Sequence, residues 1–224
     1  MEGILAIAIE LPGKRRQAFG GSKPKGSVTL GSGEGSQKVA VPVAVARILD
    51  KLQQKGDLKV PSIPAFMELL ERIALECAWK RLLGLIEARD YSSKEADGKL
   101  KADGYEEGIR CTTLERARSC HLIDDGRFGE FFARRKIDAG WGRLRIQREL
   151  ELKGIPPSSV PGWPDDFFSD EDDYDRARAL AARKHLNGKN DFQKLMRLLT
   201  ARGFPSSVAY RVAHELGGSE RDRT

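Results

Sequence analysis

Aromatic residues are scarce in this 224-residue chain, at 7%, and cysteine occurs three times. So few rings suit thin helical layers better than a thick globular enzyme. Cys77, Cys111 and Cys120 are odd in number and lack metal-ligand spacing, which excludes a disulfide framework and fits a reducing cytoplasm. Long apolar runs are missing too. No window approaches the roughly eighteen uninterrupted apolar residues of a membrane span. The N-terminal MEGILAIAIEL is interrupted by Glu2 and Glu10 and has no basic segment before it, so it does not read as a signal peptide. There is no GxxxxGK phosphate loop, no GxGxxG after a strand, no HExxH and no GxSxG. His121, His185 and His214 share no spacing with one another, and the adjacent Cys120 and His121 supply too few ligands for zinc. The expectation is a chain that is not an enzyme, with no cofactor and no metal.

What is abundant is charge. Asp, Glu, Lys and Arg make up 32% of the residues, with a formal net charge of +6. The isoelectric point near 9.3 and a mean hydropathy of -0.47 describe a surface-rich, basic protein. Such a balance favours partners that carry phosphate or carboxylate groups.

Residues 1–64 differ from the rest in residue type and period. ILAIAIEL, GSVTL and QKVAVPV are β-branched segments separated by Gly, Ser and Lys, as in a small meander or hairpin. VAVARILDKLQQKGD places Val45, Ile48, Leu49 and Leu52 at helical spacing and stops at Gly56. GGSKPKG, residues 20–26, reads as a flexible loop, and Pro61 and Pro64 punctuate the boundary to a helical remainder.

Beyond that boundary one pattern occurs three times. Leu100, Gly104 and Tyr105 correspond to Leu150, Gly154 and Ile155 and to Leu199, Gly203 and Phe204. Each glycine stands where a helix must end in a left-handed residue, and the apolar residue after it can fold back on the last turn. A three-helix unit fits around each stop. First helices fall at 66–88, 125–139 and 173–187, second helices at 93–103, 143–153 and 191–202, and third helices at 106–120, weakly at 157–162, and at 205–216. Ser92 or Ser93 and Asp191 are candidate N-caps for second helices, and Pro205 suits a helix start. The expected fold is mainly α: tandem helix-turn-helix-like repeats in an elongated curved array, with a small β-rich N-terminal extension. Its divisions are the extension at 1–64, repeats at 65–121, 122–170 and 171–216, and a disordered tail at 217–224.

The middle repeat breaks the rule. Pro161 and Pro164 in PPSSVPGWPDDFF should shorten or break its third helix. Residues 165–175 then hold seven acidic side chains and no basic one. This strip is either a solvated linker that feeds carboxylates to the next helix start, or a mimic of DNA phosphate that docks a basic partner.

Basic residues concentrate on two repeats. Residues 176–202 carry eight Lys and Arg against Asp191 alone. The middle repeat adds Arg134, Arg135, Lys136, Arg143, Arg145, Arg148 and Lys153, several of them three or four apart and able to share a helix face. The candidate partner or DNA contacts are Arg134, Arg135, Lys136, Trp141, Arg143, Arg145, Arg148, Arg183, Lys184, Lys194 and Arg197. Any one of these long side chains can instead cover an apolar helix flank. Trp141, between Gly140 and Gly142, is either a wedge in a helix junction or a ring for stacking bases or anchoring a partner. Asp124 and Asp125, ahead of RFGEFF, read as an N-cap rather than a metal or acid/base pair.

The block from 122 to 155 resembles the RecX family of regulatory proteins. Leu122, Ile123, Asp124, Asp125, Arg127 and Phe128, then Gly140, Gly142, Ile146, Glu149, Leu150, Lys153, Gly154 and Ile155, stand as that family has them. RDYSSKEADGKLKADGY at 89–105, RALAARKHL and LLTARGF are similar to its flanking repeats. The likeness covers roughly residues 68–216. Two departures are Gly126 and Gly129, in place of better helix formers, and the proline-rich stretch after Ile155. The resemblance implies tandem three-helix repeats and a monomeric, non-enzymatic regulator in the cytoplasm. Its partner would be the filament of the recombinase RecA on single-stranded DNA, whose extension, ATPase and strand exchange it inhibits, modulating recombination, DNA repair and the SOS response. The competing readings are a direct DNA-binding, helix-turn-helix-like regulator with the second helix of the middle repeat as reader, and a plain helical scaffold.

Overall fold

The strands follow from alternation. In the computed structural model, which describes residues 6–13, 23–32 and 35–218, three antiparallel strands β1 (Ala6–Glu10), β2 (Gly26–Ser32) and β3 (Gly35–Val41) lie in the order β1-β2-β3. Register sets Ile9 opposite Val28 and Val28 opposite Val39. One face therefore collects buried Val28, Leu30 and Val41, and the other carries the Lys38–Glu10 pair at 2.7 Å. Residues 20–22 of the expected loop and 219–224 of the expected tail lie outside the described residues.

The buried face is covered by α1 (Val43–Gln54) and the first turns of α2 (Ile63–Ile86). Helix α2 starts three residues before the expected position. Ser62 caps it by accepting from the Ala65 N–H at 3.4 Å, and Pro64 occupies its first turn, where a missing N–H costs nothing. Phe66, Leu70, Ile73, Ala74 and Cys77 join the strands, α1, Leu100 and Tyr105 in one hydrophobic cluster. The boundary read at residues 64 and 65 thus falls inside a shared core. Further along α2, Leu82 packs with Ala96, Leu114 and Ala117 of α3 (Ser93–Ala102) and α4 (Glu107–Ser119). These elements form one unit, Met1–Ile123; Asp124–Thr224 forms a second.

The second unit holds α5 (Asp125–Asp138), α6 (Arg143–Leu152), a short 3-10 turn (Pro157–Ser159), α7 (Asp170–Ala182), α8 (Asp191–Arg202) and α9 (Ser206–Gly217). The three helix stops are built alike. Gly104, Gly154 and Gly203 have φ of +94°, +78° and +86°. In each case the next N–H reaches back to the repeated leucine's carbonyl: Tyr105 to Leu100 at 3.2 Å, Ile155 to Leu150 at 2.9 Å and Phe204 to Leu199 at 3.1 Å. The leucines are fully buried and the residues after the glycines nearly so. One local motif therefore ends the helix and seats two apolar side chains.

The middle repeat's third helix is reduced to the 3-10 turn, as its prolines require. The segment after the turn packs back on the repeat: Val160 and Phe168 are buried beside Ile146, Leu150 and Ile155, with Trp163 and Phe167 against them. This placement accounts for both departures at once. A Cβ on Gly129 would lie 2.6 Å from Val160 Cγ2, and one on Gly126 would lie 3.3 Å from the Ser159 carbonyl. The glycines let α5 lie directly against the proline-rich segment. The acidic strip is part linker and part helix. Ser169 caps α7 by accepting from the Asp172 N–H at 3.1 Å. Asp173 is buried against Arg176, so it belongs to the fold and not to a solvated strip.

Candidate partner and nucleic-acid interface

Helix α5 begins on Asp124, whose carboxylate accepts from the Arg127 N–H at 2.9 Å, so the Asp pair is a cap. From that start, Phe128, Phe132 and Lys136 recur every fourth residue along one stripe. The two phenylalanine rings stack 6.3 Å apart at 10° and are half-buried on the core of Ile146, Leu150 and Ile155. Their remaining surface is where cations sit. Lys153 Nζ lies 5.8 Å from the Phe128 ring and 5.4 Å from the Phe132 ring. Lys136 Nζ is 5.3 Å from Phe132 and 4.4 Å from Trp141. The Arg145 guanidinium is 3.9 Å from Trp141. Each contact is worth about 0.5–2 kcal/mol depending on exposure. Together they hold three positive heads in place before any partner arrives, which lowers the ordering cost of binding an anion.

Trp141 is the wedge at the α5–α6 joint. Its N–H donates to the Lys136 carbonyl at 3.0 Å after Gly140 ends α5 at φ +75°. With Lys136 and Arg145 over its half-buried ring, it is not an open platform for stacking bases.

The glycine after it does something that only the tertiary fold reveals. Gly142 N–H donates to the Arg202 carbonyl at 2.8 Å and Leu144 N–H to the Gly203 carbonyl at 3.0 Å. The start of α6 is therefore docked onto the end of α8. The approach is so close that a Cβ on Gly142 would overlap the Gly203 carbonyl, and one on Gly203 would overlap Arg145. Two side chains fasten the joint: Arg145 donates to the Ala201 carbonyl at 3.3 Å and Arg202 to the Ala139 carbonyl at 3.4 Å.

The candidate residues thus separate. Lys136, Trp141 and Arg145 come together as one cationic cluster. Lys153, Phe128 and Phe132 complete it; the two rings also pack on the core, and Lys153 is not among the candidates read from the sequence. Its signal was the position directly before the helix-stop Gly154. Arg134 pairs with Glu130 at 3.1 Å and lies 5.0 Å over Phe167. The side chains of Arg135, Arg143 and Arg148 on α5 and α6, and of Arg183, Lys184 and Arg197 on the last repeat, make no hydrogen bond or ion pair with other described residues; Arg143 is half-buried and the other five are exposed. Lys194 serves the fold instead. It sits 2.9 Å from Asp191, the first residue of α8. Asp191 was expected to cap that helix, but Asn190 takes the cap position. The Asp191 carboxylate turns to the preceding loop, accepting from Gly188 N–H at 2.6 Å and Asn187 N–H at 3.4 Å. The Lys194 hydrogen bond, helped by those two N–H groups, holds the Asp191 carboxyl below its ordinary range.

The outer stripe of α6 is mixed rather than basic. Leu144 and Leu152 are 51% and 61% exposed, and Arg148 stands between them at four-residue spacing. Phe131 on α5 is 62% exposed. No helix among the described residues is long and apolar enough to cross a membrane.

Comparison with known proteins bears on this repeat directly. Residues 124–160 match the family description "RecX, second three-helix domain". A regulatory protein RecX from Legionella pneumophila (strain Corby) is 30% identical over 147 residues, covering 63% of this chain and 96% of that protein. Its counterpart in Stenotrophomonas maltophilia (strain R551-3) is 30% identical over 129 residues, 56% of this chain and 78% of that one. Among solved structures, a regulatory protein RecX superposes with a TM-score of 0.57 at 23% identity over 95% of this chain and 98% of its own. RecX from Lactobacillus salivarius superposes at 0.55 with 19% identity, covering 64% of this chain and 96% of that one. At these identities the structural matches speak for the fold alone.

Proposed function

The chain belongs to the RecX family of regulatory proteins, and on that premise we propose that it binds the filament of RecA on single-stranded DNA and restrains it. Binding blocks filament extension, lowers ATP hydrolysis and strand exchange, and so modulates recombination, DNA repair and the SOS response. The acting form is a cytoplasmic monomer that catalyses nothing itself. The observation that carries this reading is the exposed stripe Leu144, Arg148 and Leu152, which suits an apolar and acidic protein surface better than the edge of a base pair. The Lys136, Arg145 and Lys153 cluster supplies a second, phosphate-seeking surface, so protein and DNA contacts can add.

A helix-turn-helix reading would put the first residues of α6 against base edges. The backbone at that end is docked elsewhere, since the Gly142 and Leu144 N–H groups bond to the end of α8. The test is to add the protein to preformed RecA filaments and follow ATP hydrolysis and filament length together. Both should fall at stoichiometric amounts, and no change in either would overturn the proposal.

A further inference from the structure

The first unit carries a groove that shares no residue with those discussed as contacts. It runs beside the end of β3 between α2 and the start of α4, with a volume of about 240 Å³. Val39 and Val41 line it from the strand, Met67, Leu70 and Ala74 from α2, and Ile109 from α4. Met67 is 44% exposed although large and apolar.

Two independent features say what would fill it. First, β3 pairs with β2 on one side and with no other described strand, and the backbone of its residues 35–41 makes no further hydrogen bond to a described backbone group. A strand edge beside an apolar groove is the arrangement by which an extended peptide adds itself to a sheet, its main chain pairing with the edge and alternate side chains entering the pocket. Second, the charged side chains lining the groove are Glu71 and Glu106, both exposed carboxylates, in a chain whose net charge is +6. Against that background, two acids and no Lys or Arg select for a cationic occupant.

We propose that β3 and this groove form a docking site for an extended polypeptide segment of a partner, one that alternates apolar residues with Lys or Arg. An apolar side chain seats on Met67, Leu70 and Ala74, a flanking cation reaches Glu71 or Glu106, and the backbone becomes a fourth strand beside β3. This site shares no residue with the proposed filament contact and stands or falls independently of it.

The test uses the full chain and a fluorescent, end-blocked hexapeptide alternating lysine and valine, read by polarisation and by amide shifts. Three control peptides are run beside it: one with glutamate for lysine, one with serine for valine, and one N-methylated along one edge. The lysine–valine peptide should bind with shifts centred on Val39, Ala40 and Val41, and each control should bind about tenfold more weakly or less. The double variant E71K/E106K changes only exposed side chains and should weaken binding by about tenfold or more. Four results would overturn the proposal: no binding at about 1 mM peptide, equal binding of the glutamate or serine control, no loss in the N-methylated peptide, or no change in the variant. A concentration-dependent dimer without peptide, abolished by the same variant, would assign the edge to a second copy of the chain and would overturn it as well.

Discussion

A methyl group at Gly142 would meet backbone, which cannot yield as a side chain can. The substitution Gly142→Ala is therefore expected to lower stability by about 3 kcal/mol or more, read as a fall in the urea midpoint. The same change at Gly98 provides the contrast. That position is exposed within α3, and an added Cβ there meets nothing within 4 Å. Gly98→Ala should raise stability by about 0.5–1 kcal/mol through helix propensity alone. A stabilised Gly142→Ala would show that α6 does not dock on α8 as described. Of this contrast the sequence shows only that glycines flank Trp141. Which one touches another glycine is invisible there, because Gly203 belongs to a different repeat.

At the scale of elements, Asp191 couples the loop at 187–190 to α8. Its folded carboxyl is held below the ordinary value, chiefly by the hydrogen bond from Lys194. A depressed acid contributes stability above the unfolded value, about pH 3.9, and loses it as pH falls through the folded one. Wild type should thus melt above Asp191→Asn near pH 7, with the gap narrowing as pH falls below the ordinary carboxylate value and through the lower folded one. A gap that persists at low pH would remove ionisation as its cause. Helix α6 gives a functional prediction. Arg148→Glu, on an exposed side chain, should weaken filament inhibition by about fivefold or more with the melting temperature unchanged. Arg145→Glu should lose both inhibition and stability, because Arg145 also packs on Trp141 and bonds to the Ala201 carbonyl. If Arg148→Glu inhibits like wild type, the outer stripe of α6 is not the docking surface. Both arginines look alike in sequence; only the turn of the helix against α8 separates them.

Across the whole molecule, each unit carries its own hydrophobic clusters, and the cationic cluster belongs to the second. If Lys136, Arg145 and Lys153 each neutralise one phosphate, the affinity for single-stranded DNA should fall with salt at a log–log slope of about −2. The triple change to Gln should flatten that slope nearly to zero, and an unaltered slope would place the DNA contact elsewhere. The sequence by itself placed the helices to within about three residues, except that α7 stops at Ala182 instead of running to 187. It determined their three stops and the capping Asp124, since each rests on residues within one or two turns, where hydrogen-bond geometry and apolar period are local. It also showed both anomalies of the middle repeat, the two glycines in α5 and the prolines after Ile155. Only the tertiary structure decided that they belong together, that the strands share a core with α2, that Lys194 serves Asp191, and that Arg145 and Lys136 meet over Trp141. Those are contacts between elements, fixed by how side chains fill space when helices pack, and no local period in the chain encodes them.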